Sequence, residues 1–333
     1  MSDDLVHGGA LDAMRRAFPD APEPWVDLST GINPRPYPLD AITGADWTRL
    51  PTIEARRTCA HAMATAFGAD VAAILPVPGS EIAIRLLPLV LGAASVAIVS
   101  PTYGDHARAW TAAGRTVVAV PTLEAALDTR AGAIVLCNPN NPDGRTVSPD
   151  MVCAAADVQA ARGGWMVVDE AFAEVASDLS IAARAGMDGL VVLRSFGKFY
   201  GLAGLRLAAL LGSAGTLDAM AMLLGGWSVS GPALKLGSVA YADEDWRRET
   251  LDRLARETAA LDAVLAGNGL TVAGGTPLFR FVAVGDAHRR WAVLAAAGIY
   301  VRRFADPPDR LRIGLPAGPA ALARLAAALE STP

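Results

Sequence analysis

The chain has 333 residues, of which 52% are hydrophobic and 19% charged, and carries a formal net charge of -5. That length buries a large core and points to two domains, or one large domain with a smaller one; the composition excludes a disordered chain. The acidic balance excludes a nucleic-acid binder, which needs a basic face. Three widely spaced cysteines, Cys59, Cys137 and Cys153, read as reduced cytoplasmic thiols and exclude a disulfide framework or a zinc site.

Residues 1–40 are rich in Pro and Gly and read as an irregular arm laid across the surface. Their first stretch, MSDDLVHGGA, is acidic and lacks the apolar run of a signal peptide. A helix is predicted over 53–67. Segment 82–100 is about as long as a membrane span. Arg85, Pro88 and Gly92 interrupt it, however, and its second half reads as a buried strand. Short apolar runs rich in Val, Ile and Leu follow at 95–100, 116–120, 133–138, 165–172, 190–196 and 205–212. Ala-rich helical segments separate most of them. This is the pattern of an α/β domain whose mostly parallel sheet is buried on both faces. Past residue 230, helices are predicted over 240–265, 287–297 and 319–329, with strand candidates at 278–284 and 311–315, a smaller α+β domain. The predicted organisation is an arm over 1–40 packing with the small domain, a large domain over 41–232 and a small domain over 233–333.

The polar residues of the α/β part fall at strand ends, where parallel sheets bind ligands. The run 133–138 leads into NPNNPDG, 165–172 ends on Asp169 and Glu170, 190–196 ends on Ser195 just before Lys198, and 95–100 runs into PTYGDH. Lys198 and Lys235 are the only lysines among 29 Lys and Arg residues. A lysine amine forms a Schiff base with an aldehyde, which a permanently charged guanidinium cannot do. A carboxylate beside a pyridine nitrogen keeps it protonated, so that the ring acts as an electron sink. An aromatic side chain stacks on such a ring, and hydroxyls, backbone N–H groups and an arginine hold a phosphate. An acid, a lysine, an aromatic and phosphate donors together suit a pyridine aldehyde phosphate.

NPNNPDG, VVDEAF and SFGKFYGLAGLRL, in that order, resemble the fold-type I family of pyridoxal-phosphate enzymes, the aspartate aminotransferase superfamily, over nearly the whole chain. The resemblance implies an α/β large domain with a mostly parallel seven-stranded sheet between helices, a smaller α+β domain, pyridoxal 5'-phosphate as cofactor and a homodimer. It implies that Lys198 carries the cofactor, that Asp169 pairs with the ring nitrogen, that Asn141 bonds the ring's 3-oxygen and that Tyr103 stacks on the ring. Ser195 and Arg206, with the backbone of Gly79, Ser80 and Glu81, are expected to hold the phosphate. Phe172 stands where many relatives have a tyrosine that also reaches the 3-oxygen. Leu50 stands where relatives have a tyrosine reaching the partner subunit.

HGG at 7–9, DLSTGINP, PVPGSEIAI, PTYGDH and LRIGLP narrow the likeness to the threonine-phosphate decarboxylase family of cobalamin biosynthesis, close to the histidinol-phosphate aminotransferases. The expected substrate is then a phosphorylated amino acid, L-threonine O-3-phosphate. Its carboxylate is expected on Arg312, Arg302, Asn33 and the backbone near Gly31 and Ile32, and its phosphate near His7. Arg303 is expected to point elsewhere, and the arginines of 247–256 to be solvated. A histidinol-phosphate-type aminotransferase is the alternative, and family likeness alone separates the two. A nucleotide-binding α/β protein is disfavoured by the lack of a G-x-x-x-x-G-K-[ST] loop or a G-x-G-x-x-G turn.

Overall fold

The computed structural model describes residues 8–305 and 307–330. In chain order its helices and strands are α1 (Leu11–Ala17), β1 (Val26–Leu28), α2 (Gly44–Thr48), α3 (Ile53–Phe67), β2 (Ile74–Val77), α4 (Ser80–Leu91), β3 (Ser95–Val99), α5 (Asp105–Ala112), β4 (Thr116–Val120), α6 (Leu123–Asp128), β5 (Ala133–Cys137), α7 (Pro149–Ala161), β6 (Trp165–Asp169), β7 (Leu190–Ser195), α8 (Phe196–Phe199), β8 (Ala208–Leu211), α9 (Ala214–Leu224), α10 (Gly231–Ala242), α11 (Glu244–Gly267), β9 (Thr271–Thr276), β10 (Phe279–Ala283), α12 (Ala287–Ala296), β11 (Ile299–Arg303), β12 (Arg310–Gly314) and α13 (Pro319–Glu330). The chain divides into two compact units. One holds Pro36–Asn141 and Arg145–Asp245; the other holds the described residues up to Arg35, Pro142–Gly144 and those from Trp246 on.

The larger unit is a seven-stranded sheet of order β2-β8-β7-β6-β5-β3-β4. Strands β7, β6, β5, β3 and β4 run parallel to one another, whereas β8 is antiparallel to both β7 and β2. Every residue of β5 is buried, and Val96, Ile98, Val135, Val167, Val191 and Leu193 form one core with Ile84, Leu87 and Trp110. Each such side chain contributes about 1.5–3 kcal/mol on full burial. Strand β4 departs from the expectation of burial on both faces. It closes one end of the sheet, and Thr116, Val118 and Ala119 are exposed.

Two further differences concern helices. Pro88 does not interrupt the segment at 82–100: α4 runs through it, with Ala83, Ile84, Leu87, Pro88 and Leu91 buried along one stripe. That burial offsets the one hydrogen bond a proline forfeits. The arm is also not wholly irregular, since it contains α1 and β1. No helix among the described residues is long and apolar enough to cross a membrane.

The smaller unit has a five-stranded sheet of order β1-β11-β12-β10-β9. Strand β1 joins it parallel to β11, with Val26 opposite Ile299, so a segment from the start of the chain edges a sheet built from its end. Close backbone approach fixes Gly314 on β12, where a Cβ would lie 2.3 Å from the Thr30 carbonyl oxygen.

Candidate active site

In the larger unit, the ends of β3, β5, β6 and β7 lead into the segments that carry the polar residues. Strand β7 passes at Ser195 into the single turn α8, FGKF. Phe196, Phe199 and the following Tyr200 are buried; Phe196 stacks on Tyr200 at 4.4 Å between ring centroids, and Tyr241 meets Tyr200 edge-on at 5.1 Å. With three aromatic side chains rooted in the core, the turn leaves Lys198 to line a pocket. Ser80, Tyr103, Cys137, Pro139, Asn141, Asp169, Ala171 and Phe172 complete the lining. Gly197 must be glycine, because a Cβ there would lie 2.7 Å from the Ala203 Cα.

Asp169 ends β6 and is 5% exposed. One carboxylate oxygen accepts from the Ala171 N–H at 3.1 Å and the other lies 2.9 Å from His106 Nε2. His106 is buried, on the first turn of α5, and with Cys137 and Asp169 offers ligand atoms all within 4.8 Å of one another. Burial opposes charge on His106, but Cys137 and Asp169 outweigh it and push its pKa from 6.5 up to about 10. The folded-state value is raised, so the stabilisation from His106 is complete below pH 6.5 and is lost as the pH rises toward 10. We expect the melting temperature to fall across that window in the parent, and His106→Asn to remove that part of the slope, measured by thermal unfolding at a series of pH values. Tyr103 meets His106 edge-on at 6.2 Å, and burial followed by its bond to Asp105 raises the pKa of its phenol.

The NPNNPDG segment is tied down by its less conspicuous asparagines. Asn138 exchanges two bonds with the Val147 backbone, donating at 2.9 Å and accepting at 3.0 Å. Asn140 donates to the Pro101 carbonyl at 3.0 Å and accepts from the Thr102 hydroxyl at 2.7 Å. Both are buried, and their bonds hold the loop that presents Asn141 to the pocket.

Gly79 precedes α4 with φ of 89°, and no side chain caps the helix start. First-turn N–H groups at such an uncapped end favour an anion. The Arg206 guanidinium lies against Gly79, where a Cβ would stand 2.6 Å from its Nη2. Arg206 itself has φ of 55°, an uncommon backbone for arginine, and donates to the Ala203 carbonyl at 3.0 Å. Glu81 turns its carboxylate to Arg85 at 3.1 Å and lies 3.9 Å from Arg206. Ser195 is half-buried at the end of β7, opposite Ala208 and outside the pocket lining. Gly79→Ala should cost about 1–3 kcal/mol of backbone strain. It should also displace Arg206 from the helix start and weaken anion binding there, as read by thermal unfolding with and without inorganic phosphate.

In the smaller unit, Arg302 on β11 and Arg312 on β12 stand directly opposite each other. Like charges in that register are destabilising unless other partners offset them. Arg312 is buried, donates to the Ser29 carbonyl at 2.7 Å and lies 5.2 Å from the Phe279 ring centre. Arg303 faces the other way, over Trp291 at 4.2 Å. Gly31 and Asn33 are buried and Ile32 is half-buried in the loop after β1. His7 lies outside the described residues. The expectation of solvated arginines over 247–256 fails at Arg253, whose side chain is 17% exposed and donates to Asn33 Oδ1 at 3.2 Å. His106 and Ser29 stand inside PTYGDH and DLSTGINP, where no local pattern marks them out. His106 is three residues after Tyr103, one helical turn away. The Ser29 hydroxyl bonds Asp27 at 2.6 Å and accepts from the Gly9 N–H at 2.7 Å.

Residues 23–329 match the model of the family described as aminotransferase class I and II. A threonine-phosphate decarboxylase from a Sinorhizobium species is 42% identical over 331 residues, covering 99% of this chain and 98% of its own. One from Pseudomonas aeruginosa is 40% identical over 327 residues, covering 98% and 97%. Among solved structures, histidinol-phosphate aminotransferase from Sinorhizobium meliloti in complex with pyridoxal-5'-phosphate superposes with a TM-score of 0.84 at 25% identity, covering 96% of this chain and 93% of that one.

Proposed function

From the premise that the chain belongs to the aminotransferase class I and II family, we propose that it is a pyridoxal-phosphate-dependent decarboxylase of L-threonine O-3-phosphate, releasing carbon dioxide and 1-amino-2-propanol O-2-phosphate. The observation that carries the substrate is the near-full-length likeness, at 42% and 40% identity, to two threonine-phosphate decarboxylases. The cofactor reading is supported by a pocket that sets an amine, a buried carboxylate, an aromatic ring and an amide around one hollow.

When bound, pyridoxal phosphate supplies an aldehyde for amine attachment and a ring that takes up the electrons of the broken bond. Lys198 would hold the cofactor through its amine, and either that amine or a water would supply the proton taken up at the substrate Cα. Asp169 keeps the ring nitrogen protonated, and His106, at 2.9 Å, fixes the carboxylate in place. Asn141 bonds the ring's 3-oxygen, Tyr103 stacks on the ring and Phe172 closes the lining without a hydroxyl. Backbone N–H groups of Gly79, Ser80 and Glu81, with Ser195 and Arg206, hold the cofactor phosphate. Arg312, Arg302, Asn33 and the backbone at Gly31 and Ile32 hold the substrate carboxylate, and His7 contacts the substrate phosphate. A carboxylate held by these residues would be the group that leaves as carbon dioxide, in place of the α-hydrogen lost in amino transfer.

The working unit is read as a cytoplasmic homodimer. Its three cysteines are free. Trp47, Leu50 and Ile53 are 68%, 65% and 63% exposed in the segment around α2 and the start of α3, more apolar surface than water favours, and a second copy covers it in this reading. Sedimentation of the purified protein tests the dimer.

Incubation with L-threonine O-phosphate and no oxo acid tests the reaction. Carbon dioxide is expected to form; amino transfer to 2-oxoglutarate without carbon dioxide would establish the aminotransferase alternative instead.

A further inference from the structure

Four residues of the smaller unit close a ring of bonds, one of them through its backbone N–H as well as its side chain. The Glu257 carboxylate takes Arg253 Nη1 at 2.9 Å on one oxygen and Arg35 Nη2 at 2.8 Å on the other. The Asn33 side-chain oxygen accepts from Arg253 Nη2 at 3.2 Å and from the Arg35 backbone N–H at 3.0 Å. Arg253 and Glu257 are one turn apart on α11, a spacing that elsewhere gives a solvated pair worth a few tenths of a kcal/mol. Here Arg253 also reaches Asn33, which is 2% exposed.

An asparagine amide has an accepting end and a donating end, and its neighbours decide which end faces which way. Two N–H donors converge on one end of Asn33. Rotating the amide by half a turn would set its NH2 against both, so the flip is fixed. We propose that Arg253 is a positioning residue for substrate recognition: it locks Asn33 with its oxygen turned inward to the ring of bonds, so that the amide presents N–H to the substrate carboxylate. This rests on the reading that Asn33 contacts that carboxylate. Arginine suits the task because its planar fork serves Glu257 and Asn33 at once, whereas a lysine ammonium offers no such fixed pair.

A double-mutant cycle scored by KM and kcat for L-threonine O-phosphate tests it, with melting temperature as the control for folding. Asn33→Ala should raise KM about tenfold, the loss of one charge-assisted bond. Arg253→Leu should raise KM about three- to tenfold by the same reasoning, with a smaller change in kcat. Arg253→Lys keeps a charge beside Glu257 and should keep the melting temperature, yet still raise KM. The double variant Asn33→Ala/Arg253→Leu should be no worse than Asn33→Ala. A calorimetric titration of substrate into the same variants made on Lys198→Ala, where turnover is blocked, should rank them in the same order. If Asn33→Ala leaves KM unchanged, the carboxylate reading itself falls. If Asn33→Ala raises KM while Arg253→Leu and Arg253→Lys do not, or if the two losses simply multiply, the positioning role is wrong and the carboxylate reading stands.

Discussion

Lys198→Ala should leave a folded protein that no longer fixes pyridoxal phosphate covalently and whose kcat is lower by at least the ~10²–10⁴-fold that a positioned proton carrier contributes. Stability should change little, because Phe196, Phe199 and Tyr200, all buried, anchor α8. Borohydride reduction followed by peptide mass measurement should find the cofactor on the Lys198 peptide in the parent and on no peptide in the variant. Lys198→Arg should fail in the same way, since a guanidinium stays charged and is a poor nucleophile. The residues proposed to hold the phosphate are intact in both variants, so reversible binding should persist and be visible by absorbance titration. Retention of covalent attachment in Lys198→Ala would refute the assignment.

Arg194→Leu should destabilise the larger unit by about 3–5 kcal/mol. Arg194 sits inside the apolar run of β7 with its side chain 3% exposed, paired with Glu170 at 2.9 Å and Glu174 at 2.6 Å. It also donates to the Ser180 hydroxyl at 2.9 Å and lies 4.4 Å from the Phe67 ring centre. Burial works against its charge, but Glu174 and Glu170 more than restore it and raise its pKa. Removing the guanidinium strands two buried carboxylates, which costs more than the pair itself contributes. Glu170 keeps the Ser180 hydroxyl at 2.6 Å and the Ile181 N–H at 2.7 Å, so Glu174 bears most of the loss. Glu174→Gln introduced with Arg194→Leu should therefore recover part of the stability. Denaturant unfolding of the three proteins measures this; an Arg194→Leu loss below about 1 kcal/mol, the size of a surface pair, would contradict the burial argument.

Much of the larger unit was legible because its strands are short, apolar and buried on both faces. Runs such as AIVLC and WMVVD leave little alternative to a central parallel strand. The same reading failed at β4 because composition reports what a strand can bury, not where in the sheet order it lies. Pro88 misled for a related reason: local propensity argues against a helix there, and only the packing of α4 on the core overrides it. Glu170 read as one of a pair of strand-end acids. Its partner, Arg194, is 24 residues away in sequence, so no local pattern joins them.

The amino-acid sequence by itself determined which chemistry the chain can carry. A lone lysine in S-x-x-K, an acid ending an apolar run and an Asn/Pro loop in a set order specify residue types whose roles do not depend on detailed packing. The tertiary structure alone decided what holds them. It set His106 against Asp169, laid Arg206 on Gly79, and turned Arg302 and Arg303 to opposite faces of one strand. It also drew Arg253 out of a charged helix face onto Asn33, 220 residues away. The physical reason is the range of the forces involved. Reactivity belongs to a side chain, and burial period to a stretch of a few residues, so both are written locally. Hydrogen bonds and ion pairs act over about 3 Å in space, and which residues come within that distance is fixed only when the sheets and helices have packed.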